Sequence, residues 1–360
     1  MNLLNKYSMN STKLFLALAF IMALYSCDNS SHDRITPASS GTYILNNGNW
    51  GSNDSNIGIY NPAARTFAAD VFRTANGQAL GDLGQDIVGV GEDIFIAVNG
   101  SQTIFVTDAD LKIKHQINAD KEGTRLSPKY MAVSGNRLYV TYYEGYVGEI
   151  AADYSFRLCP VGPNPEGIAV AGDNLYVANS GGMSYPAYNN TVSVVSASTF
   201  TETSTVKVNV NPNKIEASSD GTYVYVSSFG NYADAPAMLQ VITASDGKVS
   251  DLDYASVSSI AKGRDDILYI LCGGYDENWN PLPGNIFMHD MKTNRPLGAF
   301  VTDGTVLPDA YSVSAAADGY VYVGCSDYTN TGDVYVFTRE GKLHDKFDSH
   351  GLNPLKAFKY

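Results

Sequence analysis

The groups in this chain able to do acid–base, nucleophilic or metal chemistry are few and badly placed for it. The five histidines, His32, His115, His289, His344 and His350, form no HxH or HExxH pair, the spacings at which two imidazoles share one metal. There is no Gly-x-Ser-x-Gly elbow, phosphate-binding loop or EF-hand loop. Cys159, Cys272 and Cys325 are too few and too scattered for a disulfide framework, and each reads as a small buried side chain. These observations lead us to expect a non-enzymatic protein with no cofactor and no metal. What is concentrated is recognition chemistry. Trp50, Tyr143, Met183, Tyr185, Tyr188, Phe229, Tyr232, Tyr275, Trp279 and Tyr328 all fall in stretches rich in Gly, Asn and Ser. Such stretches pair large flat contact surfaces with adaptable polar groups, and these ten residues are the candidate ligand contacts.

A repeat positions them. The run LYVAN around Tyr176 recurs with an aromatic at Tyr43, Phe95, Tyr139, Tyr176, Tyr225, Tyr269 and Tyr322. A β-branched residue follows each time: Ile44, Ile96, Val140, Val177, Val226, Ile270 and Val323. The intervals run from 37 to 53 residues, the span of a four-stranded propeller blade. Before each run lies a strand of small and apolar residues (DIVGVG at Asp86, YMAVSG at Tyr130, GIAVAG at Gly167, KIEASS at Lys214, SSIAKG at Ser258, YSVSAA at Tyr311). After it lies an alternating one (TVSVV at Thr191, DVYVF at Asp333), then a more polar fourth such as TETSTVKV at Thr201. Period-two alternation bounded by Gly, Asn and Asp marks strands, and no stretch after residue 41 carries a helical period. The first unit lacks its leading strand, and the chain's end, NPLKAFKY from Asn353 to Tyr360, resembles NPNKIEAS at Asn211. The expected fold is all-β: one seven-bladed β-propeller over residues 42–360, with four-stranded antiparallel blades, its ring closed by the C-terminal strand completing the first blade.

In antiparallel blades the second-to-third loops share a face with the links between blades. The first-to-second turns are tight (GED at Gly91, SGN at Ser134, AGD at Ala171). The second-to-third loops are long: NNGNWGSND at Asn46, SGGMSYPAYNN at Ser180, SFGNYADAPA at Ser228, GGYDENWNPLPG at Gly273 and SDYTNTG at Ser326. The ten candidate contacts therefore gather on one face of a rigid ring, where binding residues usually sit. The carboxylates Asp54, Glu144, Asp234, Asp276, Glu277, Asp309 and Asp327 share it. Glu166, in the Asn-Pro-Glu-Gly turn before the fourth inner strand, belongs near the axis, where an acid could serve a lyase or cap a strand. Cys272 and Cys325 hold the same register in adjacent blades, too far apart to bridge, so they read as free thiols.

The N-terminus is an address. Lys6 and Lys13 precede the apolar run LFLALAFIMALYS, which is shorter than a membrane span, and Leu-Tyr-Ser-Cys resembles a bacterial lipobox. Residues 1–26 read as a lipoprotein signal peptide and Cys27 as the lipidated residue. Residues 27–41 read as a lipid-anchored flexible tether. The formal net charge of −13 without any basic run excludes a phosphate-backbone partner such as nucleic acid; the membrane is expected to be reached through the lipid alone, with a monomeric domain beyond it.

LYVANSGG…NTVSVVSASTFTETSTVKVNVNPNKI closely resembles the YVTN/YncE-like β-propeller repeat. YILNNGNWGSNDSNIGIYN, FVTDGT and GDVYVFTREGKL resemble a group of Bacteroidetes lipoprotein propellers of the DUF5074 or surface-layer type. That resemblance implies a cell-surface lipoprotein in the outer membrane. One member of the wider group captures cobalamin for a TonB-dependent transporter, so a corrinoid ligand and a transporter partner are what the resemblance implies here; a protein-interaction or surface-layer scaffold is the alternative.

Overall fold

The computed structural model describes residues 41–275 and 281–360. The expected signal peptide, Cys27 and nearly all of the tether lie outside them, as does Trp279. Seven four-stranded antiparallel sheets follow one another along the chain. The fourth blade shows the plan: inner strand Pro165–Ala171, then Asn174–Asn179, Thr191–Ser196 and outer strand Thr201–Lys207. The remaining inner strands are Gly84–Val90, Pro128–Ser134, Pro212–Ala217, Val257–Lys262, Ala310–Ala315 and Pro354–Phe358. The last pairs with Thr42–Asn46, Ile44 opposite Ala357, so the two ends of the chain share the first blade. The chain is a seven-bladed β-propeller closed as its sequence predicts.

The seams between blades explain the repeat. Tyr43 packs with Ile94 and Ile96 of the second blade, Phe95 with Val140 of the third, and Tyr139 with Val177 of the fourth. Tyr176 meets Val224 and Val226, Tyr225 meets Ile270, Tyr269 meets Val323, and Tyr322 meets Ile44 of the first. Each aromatic thus fills the wedge beside the β-branched residue of the next blade. All seven are buried. The outer strands are polar and largely exposed, as in the TETSTVK edge of blade four, which discourages pairing with other chains.

Three features depart from the sequence reading. A six-residue helix, Val71–Asn76, links blades one and two and buries Val71 and Phe72; it spans under two turns, too short to show a 3.6-residue period. A two-residue ladder, Asp120–Lys121 with Thr124–Arg125, precedes blade three. The twelve-residue loop expected from Gly273 is largely hairpin: strands Ile267–Tyr275 and Pro281–Asp290 continue, with Gly274 opposite Leu282 and Tyr275 opposite Pro281.

A second repeat lies in the backbone. In six blades the first residue after the second strand, and in blade six Gly273 within the extended strand Ile267–Tyr275, donates its backbone N–H to the residue just before the inner strand. The pairs are Asn47 to Asn353, Asn99 to Leu83, Tyr143 to Ser127, Ser180 to Asn164, Phe229 to Asn211, Gly273 to Ser256 and Ser326 to Asp309, at 2.8–3.1 Å. Six of these acceptors, all but Ser127, have positive φ, which Asn and Asp tolerate best. Immediately after the acceptor each inner strand carries a register shift, as between Pro128 and Met131, Pro165 and Ile168, or Pro212 and Ile215. A bulge re-aims side chains that regular alternation would send elsewhere.

Candidate functional site

Two arrangements of side chains result, one on the loop face and one along the axis. On the loop face the Ser180–Asn190 segment closes on itself, Asn189 N–H to Ser180 O at 2.9 Å and Ser184 N–H to Gly181 O at 2.8 Å. Gly181 has φ +62° and a Cβ there would sit 2.5 Å from the Asn189 nitrogen, so its position requires glycine; a Cβ on Gly182 would sit 2.4 Å from the Tyr143 hydroxyl, which would have to move. The loop holds Met183 and Tyr185 out in solvent, at 77% and 72% exposure, and Tyr232 of the next blade is 63% exposed. Tyr188 joins the two loops edge-on, its ring 6.0 Å from Tyr185 and 6.2 Å from Tyr232. Trp50 is more exposed still, on a loop whose Asn49 side chain donates to the Tyr328 carbonyl at 3.2 Å. Phe229 and Tyr328, with Tyr311, line a cavity of about 140 Å³ reached from blades five to seven. The structure thus groups Tyr185, Tyr188 and Tyr232, and separately Phe229 with Tyr328. Tyr143 is half-buried beneath the Ser180 loop and takes the Lys129 ammonium 4.8 Å from its ring centroid. Tyr275 ends a strand, and Trp279 lies outside the described residues.

Along the axis the bulges set a polar belt from the second and third residues after each acceptor: Gln85 and Asp86, Lys129 and Tyr130, Glu166, Asn213 and Lys214, Ser258 and Ser259, Tyr311 and Ser312, and Lys356. Asp86 pairs with Lys356 and accepts the Met131 N–H at 2.8 Å. Lys129 meets Glu166 at 3.2 Å, Gln85 donates to the Tyr130 hydroxyl at 2.9 Å, and the Lys214 ammonium lies 3.9 Å from the centre of the Tyr130 ring. Asp86, Tyr130, Lys214, Glu216 and Lys356 line an axial channel of about 390 Å³. Burial pushes Glu166 up from the usual carboxylate range, against the pull of Lys129 and Lys214. Burial likewise raises Glu216 and lowers Lys214, the latter against Asp86, Glu166 and Glu216. The sequence showed Glu166 alone of this belt. The signal for the rest was the Asn-Pro anchor at 164, 211 and 353, with polar side chains two and three places on.

His289, His115 and the three described cysteines are tied into the fold. His289 is buried, with Tyr254 on Nδ1 at 3.0 Å and Asn294 on Nε2 at 2.9 Å. His115, on an outer strand, stacks on Tyr154. Cys159, Cys272 and Cys325 are buried free thiols, and burial pushes the Cys272 thiol up to about 11, far from a reactive thiolate at neutral pH. No cluster of three or more His, Cys, Asp or Glu able to hold a metal occurs among the described residues.

No protein-family model matches the chain, and no curated protein matches it. Solved structures do. Kuenenia stuttgartiensis hydrazine synthase superposes with a TM-score of 0.56 at 18% identity, covering 71% of this chain and 77% of that one. A chain of a mitotic checkpoint complex gives 0.51 at 12%, covering 77% of each. The Neurospora crassa Pan2 WD40 domain gives 0.50 at 9%, covering 72% and 78%. At these identities the likeness is one of fold, and it is the propeller fold, a scaffold that carries unrelated functions in its loops.

Proposed function

We propose that this chain is a non-enzymatic binding protein that takes its ligand on the aromatic loop face. In this reading Cys27 carries the lipid, the tether of residues 27–41 holds the propeller at the outer surface of the outer membrane, and the relatives are the YncE-like, surface-layer-type lipoproteins of the Bacteroidetes. One observation carries the reading: Trp50, Met183, Tyr185, Tyr232 and Tyr328 stand exposed on loops of four blades, fixed by the seven backbone bonds to the inner strands. Apolar side chains held in water on a rigid frame gain free energy when a partner covers them, about 25 cal/mol per Å². A ring-bearing nutrient offers flat surfaces for such a face, and a corrinoid handed on to a TonB-dependent transporter is the specific form proposed.

The test is calorimetric titration of cobalamin into residues 28–360. Binding that disappears when Trp50 and Trp279 are replaced by Ala supports capture on this face. No heat and no thermal shift removes the corrinoid. The protein-interaction scaffold then stands in its place, favoured by the shallow relief of the face, whose cavity of about 140 Å³ is well below the usual pocket of about 300–1,000 Å³. That scaffold predicts crosslinks from the loop face to outer-membrane proteins.

A further inference from the structure

The axial channel contains two charged side chains that stand outside its ion pairs. Asp86 is paired with Lys356, Glu166 with Lys129, and Lys262 with Asp266. Lys214 and Glu216 make no ion pair among the described residues; Glu216 accepts the Lys262 backbone N–H and feels the Lys356 charge, and Lys214 and Glu216 stand two positions apart on the inner strand Pro212–Ala217. That spacing sends both from the same side of the strand, about 7 Å apart, and both line the channel. The Lys214 ammonium rests on the Tyr130 ring, and the Tyr130 hydroxyl, accepting from Gln85, keeps its own proton to donate. Enclosing an ammonium and a carboxylate that lack a direct ion partner is unfavourable, and burial presses both toward their neutral forms against the opposite charges around them. A ligand carrying both charges would reverse that pressure on each; a simple anion would leave Glu216 unmatched, and a simple cation would leave Lys214.

We propose that the axial channel binds a small zwitterion of the amino-acid class, its carboxylate held by Lys214 and the Tyr130 hydroxyl and its ammonium by Glu216. The two charges of an α-amino acid lie a few ångströms apart and fit between side chains with this spacing. The channel volume of about 390 Å³ leaves room for a side chain against the small residues Ala169, Ala261 and Ala315. The site is separate from the loop face, so failure of ligand capture there leaves this inference standing, and the reverse holds as well.

The experiment titrates glycine, glutamine, glutamate and phenylalanine into the purified chain, with acetate and ethanolamine as single-charge comparators. At least one amino acid should bind about 10-fold or more tighter than either comparator. Lys214→Met and Glu216→Gln should each weaken it by about 10-fold, the cost of one charge-assisted hydrogen bond, in variants that melt as the parent does. No binding by any amino acid, acetate binding as tightly as the amino acids, or affinity unchanged in both variants would overturn the proposal. Should Lys214→Met not fold, the ranking of zwitterions over single-charge probes in the parent chain decides the matter.

Discussion

Tyrosine does two opposite things in this propeller. Tyr43 and Tyr225 are fully buried in the seams between blades, while Tyr185 and Tyr232 are 72% and 63% exposed on the loops. The seam residues recur at blade intervals, each next to a β-branched partner, because every wedge between blades has the same shape and must be filled at near-crystalline density. The loop residues obey no period, because nothing in the ring requires them. An aromatic with a periodic partner is therefore scaffold, and an aromatic without one in a Gly/Asn-rich loop is free to contact something outside the chain.

Removing a seam tyrosine is the strongest way to break this contrast. Tyr225 packs against Leu268 and Ile270 of the next blade, and its hydroxyl donates to the Met291 carbonyl at 3.1 Å. Tyr225→Ala should lower the free energy of unfolding by about 3–5 kcal/mol, and Tyr225→Phe, which loses only the hydroxyl's bonds, by about 1 kcal/mol. Urea denaturation of the three proteins measures both. A loss below about 1 kcal/mol for the alanine variant would mean that the seams do not hold the ring together.

The same contrast marks what the sequence disclosed. The seven aromatic slots, the spare inner strand at Asn353 and the crowded loop face were all legible, because each is a repeated pattern or a visible interruption of one. The belt was not. A bulge adds one residue on one strand, and it breaks the alternation that makes a strand readable; Lys214 and Lys356 therefore looked like ordinary strand residues. The helix Val71–Asn76 escaped for want of length. The extended hairpin at Tyr275 escaped because Gly273, Gly274 and the prolines at 281 and 283 all signal a loop, and the pairing of Gly274 with Leu282 overrides that local preference.

Not every join between blades is apolar, and the turn face opposite the loops tests how far the seam rule reaches. Asp266 of blade six is buried, accepting the Ser219 N–H of blade five at 2.7 Å and meeting Lys262 and Lys292 at 3.1 Å each. Burial alone would raise its pKa, but Ser219 and the two lysines overcome it and hold the carboxyl at about 2. A carboxylate depressed on folding contributes stability above its unfolded pKa of about 4 and loses it as pH falls through the folded value. Asp266→Asn should therefore cost about 2 kcal/mol at pH 7, with the gap to the parent closing between about pH 4 and pH 2. Urea melts at pH 7, 4.5 and 3 read this directly. A gap that stays constant with pH would assign the join to hydrogen-bond geometry and not to charge.

The smallest expected effect on stability is the one that bears most on function. Among the described residues Tyr185 and Tyr232 touch other aromatics through the edges of Tyr188; the Tyr232 hydroxyl also meets Asn211, and most of each side chain is already in water. The double replacement Tyr185→Ala with Tyr232→Ala should change the unfolding free energy by no more than about 0.5 kcal/mol, as surface changes do. It should also abolish or sharply weaken whatever association the loop face makes, since aromatic anchors dominate binding energy. Differential scanning fluorimetry and a binding titration on the same samples separate the two quantities. If the double variant melts well below the parent, the loop tyrosines are packing one another as the seam tyrosines pack the blades. The exposed face would then be a wall of the scaffold and not a surface for recognition.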